Sequence, residues 1–267
     1  MKKELFSSCK LIGVALAATM LSSCLEGGGN TTSGQVVGVV RFDLNSGKNV
    51  LDISAYDSFH SLAFSNKEEG TCCYVYYELD YEDPENTAEK IAANGYYTVT
   101  VLAQEEINRF YMLSEADTVS VALPNETPLK DPVPQIGGYV KGILFLGHLL
   151  NARPKQVTDW RLSYDREHMS VDENGENVYD VYLRATIRSE GTTTAEDMYE
   201  TSAYDMTPYI ENAARLEKNL GKDKVSIRVN YVSDINDDGT VVWDRAANKI
   251  DLGVQMIIPE TVGNSLN

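Results

Sequence analysis

The sequence predicts a mainly β protein in two domains, of sandwich or small-barrel architecture, on three observations. Short runs rich in β-branched and aromatic residues recur between Gly, Asn, Asp and Pro clusters. One segment alone, 207–220, carries a full amphipathic helix pattern. Four of the eight prolines (Pro124, Pro128, Pro132, Pro134) fall within a short stretch that resists both helix and sheet interior, which puts a linker at 124–138.

The folded part is expected from Gln35. Val36–Phe42 and Val50–Ile53 flank the turn cluster Asp43-Leu44-Asn45-Ser46-Gly47 and form a hairpin. Thr71–Tyr81 is a tyrosine-rich strand stopped near Pro84, which lacks the N–H a sheet ladder needs. A short helix over Asn86–Asn94 starts at Asn86 as its cap and ends at Gly95. Tyr96–Ala103 alternates cleanly, and Ile107–Leu113 adds a further strand, which completes a first domain at 35–123.

The second domain, 139–262, opens with the apolar, glycine-punctuated Tyr139–Leu150, a buried strand or pair of strands. Trp160–Tyr164 and Val178–Arg188 follow, separated by the turn Asp172-Glu173-Asn174-Gly175. Alternation puts Tyr179, Val181, Leu183, Ala185 and Ile187 inward, so Arg184 is expected to face solvent or a partner. In the helix, Thr207 is the expected cap, Pro208 suits the first turn, and Tyr209, Ala213, Leu216 and Leu220 form the expected buried stripe before Gly221. Val225–Val232 and Val241–Trp243 make a hairpin around 233–240, and Ile250–Ile258 is the last expected strand.

The start of the chain says where the protein works. Lys2, Lys3 and Lys10 precede an apolar run from Leu11 to Leu21, and Leu21-Ser22-Ser23-Cys24 closes it. This is the pattern of a lipoprotein signal peptide at 1–23 with Cys24 as the lipid attachment residue, its thiol carrying a diacylglyceryl group and its new amine a fatty acyl chain such as palmitate. The run is too short for a membrane span, which needs roughly 20 apolar residues. Glu26–Gly34, with three consecutive glycines, reads as part of a flexible tether over 24–34. The expected partner is therefore the membrane, through lipid on Cys24, and the expected location the bacterial envelope at the outer membrane.

Charge narrows the partners. The chain holds 23 Lys and Arg against 40 Asp and Glu, and residues 1–23 take three lysines and one glutamate with them, leaving 20 against 39. Such a surface disfavours nucleic acid and anionic lipid. An unidentified envelope protein or a glycan fits better.

Motifs for chemistry are sparse. Asp234-Ile235-Asn236-Asp237-Asp238-Gly239 matches the first half of a calcium loop, with Asp234, Asn236 and Asp238 as candidate ligands, but its twelfth position is Arg245 instead of a bidentate Glu. Calcium is the one metal suggested, and no other cofactor is. His60, His148 and His168 lie far apart in sequence, and no nucleophile elbow or phosphate loop is present. Adjacent Cys72 and Cys73 point to opposite faces of a strand and read as packed, unpaired thiols, Cys73 sharing a face with Val75, Tyr77 and Leu79. Tyr74, Tyr76, Tyr77, Tyr81, Tyr96 and Tyr97 admit two readings, strand scaffold or sugar-stacking platform.

The lipobox, the glycine tether, G-T-C-C-Y-V-Y-Y-E-L-D-Y with P-E-N after it, Lys155-Gln156, D-W-R-L-S-Y-D and V-Y-D-V-Y-L-R-A together resemble NigD-like lipoproteins of Bacteroidota across 35–262. The resemblance implies a small OB-like barrel followed by an immunoglobulin-like β-sandwich, here with a helix inserted at about 207–220. It implies no catalytic residues. The leading expectation is a non-enzymatic, lipid-anchored protein presenting β-domains for binding or assembly; the rivals are a carbohydrate-binding surface lipoprotein and a glycan hydrolase using paired carboxylates.

Overall fold

The computed structural model describes residues 30–165 and 169–258. Cys24 and His168 lie outside them. The chain is mainly β, as its alternation requires, and falls into an N-terminal sheet and a C-terminal pair of sheets.

The N-terminal sheet is built from β1 (Thr31–Asp43), β2 (Lys48–Asp52), β3 (Ser58–His60), β4 (Cys72–Asp80), β5 (Tyr97–Thr98) and β6 (Thr100–Ile107), with helix α1 (Ala88–Asn94) between β4 and β5. Its order is β5-β3-β2-β1-β4-β6. Its core gathers Val36, Val40, Leu51, Phe59, Phe64, Cys73, Val75 and Leu79. At Gly38 the neighbouring strand comes so close that a Cβ would lie 2.6 Å from the Asp52 carbonyl oxygen, so only glycine fits.

Two expectations in this half need correction. β1 starts at Thr31, not Gln35: Thr31, Thr32, Ser33 and Gly34 pair with Asp80, Leu79, Glu78 and Tyr77, so four residues assigned to the tether are strand. Gly34 belongs there because its bare backbone lets the Tyr77 ring lie against it. Secondly, Thr87 caps α1. Asn86 is buried and instead ties strand ends together, donating to the carbonyls of Asp80 and Thr98 (both 2.8 Å) and accepting from the Thr98 N–H (2.7 Å).

The C-terminal half contains β7 (Arg109–Tyr111), β8 (Val133–Val140), β9 (Ile143–Ala152), β10 (Val157–Tyr164), β11 (Ser170–Val171), β12 (Asn177–Ser189), β13 (Glu196–Asp205), α2 (Thr207–Asn219), β14 (Lys224–Ile235), β15 (Val241–Arg245), β16 (Ile250–Gly253) and α3 (Val254–Ile257). One sheet runs β10-β12-β14-β15, with β11 beside β12 and β16 beside β14; the other runs β7-β13-β9-β8. Their facing sides share a core of Leu144, Leu146, Leu150, Trp160, Leu162, Val181, Leu183, Tyr204, Ile227 and Val229. α2 carries the chain from β13 in one sheet to β14 in the other and lies against the same core through Ile210 and Ala214.

The expected linker is not a spacer. β7 already pairs with β13, and Glu126 and Leu129 bridge to Thr186 and Leu150. The Leu129 N–H also donates to the Val232 carbonyl (2.8 Å), so this segment straps the two C-terminal sheets together. The sheets change hands at Asn108, between β6 and β7, well before the prolines. Prolines suit such a strap because it needs few ladder N–H groups.

In α2, the buried residues are Tyr209, Ile210, Ala213, Ala214 and Glu217, while Leu216 and Leu220 are exposed. The stripe is thus rotated from the expected one. Met206, not Thr207, is the cap residue, and Asp205 receives the Thr207 N–H (3.1 Å). The last expected strand stops at Gly253, where Val254–Ile257 turns into α3 and packs against α2.

The two halves are joined by an apolar contact. Val37, Cys72 and Ile107 from the outer face of the N-terminal sheet meet Val140, Ile143, Phe145 and Ala203 from the outer face of the β7-β13-β9-β8 sheet. Arg109 bonds the Gly70 carbonyl and the Asp205 carboxylate at its edge, and Lys141 reaches Asp52 (2.9 Å).

Candidate functional site

The calcium-loop candidates sit in the β14–β15 hairpin turn. The Asn236 N–H donates to the Thr240 carbonyl (2.8 Å) and the Gly239 N–H to the Asn236 carbonyl (2.9 Å), with Gly239 at φ +79°. Asp238 accepts from the Thr240 N–H (2.9 Å) and hydroxyl (2.6 Å), which hold its carboxyl below its usual range. Asn236 presents its amide N–H to the Thr240 hydroxyl (2.9 Å), and Asp234 accepts from the next N–H (2.8 Å). Hydrogen bonds inside the turn thus engage all three side chains. Among the described residues no group of three or more His, Cys, Asp or Glu is placed to hold a metal ion.

The tyrosines do not form one row. Tyr96 is buried, Tyr77 and Tyr97 pack against the N-terminal core, and Tyr74 packs at the domain contact. Only Tyr76 and Tyr81 of the six are exposed. Alternation along β4 is the reason, since neighbouring residues serve opposite faces. The same alternation separates the thiols: Cys73 joins the N-terminal core and Cys72 the domain contact, neither in a disulfide. Burial pushes them up to about 11 and about 12, so neither offers a thiolate at neutral pH.

The two described histidines, His60 and His148, are buried as well. His148 is fully buried in the sandwich, stacked on Trp160 at 3.9 Å with Nε2 3.0 Å from the Tyr204 hydroxyl. Burial drives its pKa down to about 3, so the ring is neutral. His60 is buried beside Tyr96, its Nδ1 3.3 Å from the Asn49 carbonyl oxygen.

Arg184 corrects an expectation: its side chain is 0% exposed. It does leave the core on the outward face of β12, but residues 117–126 cover that face. Glu126 takes a fork of two bonds at 2.7 Å, Asp117 one at 2.9 Å, and the carbonyls of Val119 and Val121 complete the set. The partner of Arg184 is this chain. Arg228 forks onto Asp180 in the same way (2.6 Å twice), with Asn230 also donating to Asp180 (2.9 Å). These carboxylates are therefore neutralised by guanidinium groups, not left facing each other across a cleft as glycoside hydrolysis needs.

One small cavity, about 220 Å³, opens where the halves meet, between Ala55 and the residues Lys141, Gly142, Thr207, Glu211 and Met256. Gly142 (φ +93°) lets the β8–β9 turn press onto the Thr207 hydroxyl. The volume is below the roughly 300–1,000 Å³ of common small-molecule sites, and a larger hollow of about 420 Å³ lies open to solvent along Leu113–Val119.

Comparison with known proteins finds a family match for the N-terminal half. The family described as Lipoprotein OB domain matches residues 28–105. The N-terminal domain is thus similar to a lipoprotein OB domain. The match ends two residues short of Ile107, where β6 hands over to the second domain, and the small OB barrel implied by the likeness to NigD-like lipoproteins is the fold found there. No curated protein matches the chain. Among solved structures, an uncharacterized protein from Parabacteroides merdae is 19% identical, covering 82% of this chain and 98% of that one with a TM-score of 0.72. A putative lipoprotein from Bacteroides fragilis is 13% identical over 84% and 98% of the two chains, TM-score 0.50. A NigD-like immunity protein from Bacteroides caccae is 12% identical over 80% and 91%, TM-score 0.47. The first of these shows that the two-domain fold recurs as a unit.

What sequence reading misses is the strap over the C-terminal sheets, which includes residues 117–129, and its tie to Arg184. A signal existed: an Arg on a strand whose neighbours are Tyr182 and Thr186, with Glu126 and Asp117 upstream, pairs only if the intervening segment folds back.

Proposed function

We propose that this lipoprotein is held in the bacterial envelope by lipid on Cys24, at the outer membrane, and acts there by contact, presenting its OB domain and sandwich to another envelope protein or a glycan. The observation that carries this reading is the lipoprotein OB domain starting four residues after the lipobox cysteine. The state of the reactive groups supports the non-enzymatic part. Both mature thiols and the described histidines are enclosed in packed cores, and the best-formed carboxylate clusters are bound to arginines.

The test has two arms. Cys24→Ala in the full chain is expected to move the protein from the membrane fraction to the soluble one; persistence in the membrane would remove the anchor. The released Cys24→Ala protein is then put on a glycan array and in a reducing-end assay with the glycans it binds. Binding without new reducing ends favours contact, whereas turnover would replace this reading with the hydrolase.

A further inference from the structure

The lipid and the fold are very close together in the chain. The Tyr81 N–H donates to the Asn30 carbonyl (3.0 Å), the Asn30 amide reaches Glu82 (3.2 Å), and Thr31 pairs with Asp80. Residues 25–29 are all that separates Asn30, at this end of the OB domain, from Cys24. Six steps span on the order of 20 Å fully extended and about 13 Å as a flexible coil. A folded domain of 100 residues is about 30 Å across. No such partner fits beneath.

That end is not uniformly polar. Tyr81 is 53% exposed at the end itself, and Tyr76, opposite Gln35 in mid-β4 and roughly 13 Å along the strand from Asp80, 42%. Leu102, 55% exposed, is the extra residue of a bulge on β6: Tyr76 pairs with Ala103 and Tyr77 with Val101, which leaves Leu102 outside the ladder beside Tyr76. Tyrosine, with an apolar ring and a polar tip, suits the boundary between headgroups and acyl chains. Asp80, Glu82, Asp83 and Glu85 surround the same end, so anionic headgroups within a Debye length of roughly 8 Å are repelled.

We propose that the end of the OB domain carrying Tyr81, with Tyr76 and Leu102 on the flank above it, rests on the headgroup layer of a zwitterionic bilayer, and so sets which way the protein stands. The proposal rests on the lipid anchor at Cys24. It assigns the opposite end of β1, with Leu44 in the β1–β2 turn, to the side away from the membrane: 13 residues of strand put it about 40 Å from Thr31.

The experiment uses the full lipidated chain in phosphatidylcholine vesicles, with Tyr81→Cys or Leu44→Cys carrying a nitroxide. Leu44 is 86% exposed, and the buried Cys72 and Cys73 do not compete for label. Flotation is read first. If the wild type does not float with vesicles, or floats no better than Cys24→Ala, the anchor falls and the proposal with it. With the protein on the vesicles, the label at 81 is expected to collide several-fold less with a water-soluble nickel complex than the label at 44, and more with oxygen. Exchanging part of the lipid for phosphatidylglycerol is expected to raise the nickel collisions at 81. Equal collision at both positions on loaded vesicles overturns the orientation while leaving the anchor standing. Dipolar broadening between labels at 81 overturns it too, since it would put a second copy on this surface.

Discussion

Arg184 shows how a single residue can be read correctly by direction and wrongly by environment. Alternation along β12 does point it away from the core, yet residues 117–126 enclose it, and sequence alternation says nothing about what lies over a face. Removing one partner of a buried, hydrogen-bonded charge cluster leaves the others uncompensated, at about 3–5 kcal/mol. Arg184→Ala is therefore expected to lower stability in urea unfolding by about that amount, with Glu126→Gln less damaging because its amide still accepts one bond from the guanidinium. The thiols give a second outcome at this scale. Burial raises both above the ordinary 9.0, to about 11 for Cys73 and about 12 for Cys72. A folded state that prefers the neutral thiol is favoured fully below the unfolded value and loses that advantage as pH rises through the folded one. Stability should thus decline from about pH 9 upward, and Cys73→Ser should show a shallower decline in the same titration. Iodoacetamide at pH 8 should label Cys72 and Cys73 only after denaturant is added.

At the scale of elements, strands with an apolar stripe were legible and those without one were not. β12 and β9 follow from their patterns, whereas most of β8 lies in the stretch assigned to the proline linker. β13 was missed because the side chains it turns into the sandwich are Met198, Glu200, Ser202 and Tyr204, with no apolar period to detect. Tertiary pairing with β9 and β7 makes it a strand. The pattern shows the helix but not its buried face: Tyr209 and Ala213 fit either stripe, and only contact with the sandwich chooses Ile210 and Ala214 over Leu216 and Leu220. Ile210→Ala, at a fully buried position, is expected to cost about 2–5 kcal/mol in chemical unfolding. Leu216→Gln and Leu220→Gln should stay within about 0.5 kcal/mol of wild type. If the expected stripe were the true one, those sensitivities would be exchanged.

At the scale of the whole molecule, the OB domain and the sandwich were each foreseeable, but their junction was not. Prolines place a linker between domains at 124–138, whereas the handover at Asn108 lies within a contact of Val37, Cys72 and Ile107 on Val140, Ile143, Phe145 and Ala203. The residues on both sides belong to strands whose other face fills its own domain core, so each sheet is apolar on two sides, and a strand pattern cannot say which domain claims the second. Interfaces between domains default to mobility unless they are apolar and well packed. This one is apolar, Phe145 is fully buried in it, and ionic contacts from Arg109 and Lys141 lie beside it. The two halves should therefore unfold together. Calorimetry of the wild type is expected to give one transition whose van't Hoff and calorimetric enthalpies agree. Phe145→Asp places an unpaired carboxylate between the sheets, which neither core can absorb. It should split the single transition into two, with the OB domain melting apart from the sandwich, while far-ultraviolet circular dichroism at low temperature keeps its β signature. A single unshifted transition in Phe145→Asp would mean that the contact is incidental and that the domains are joined by the chain alone.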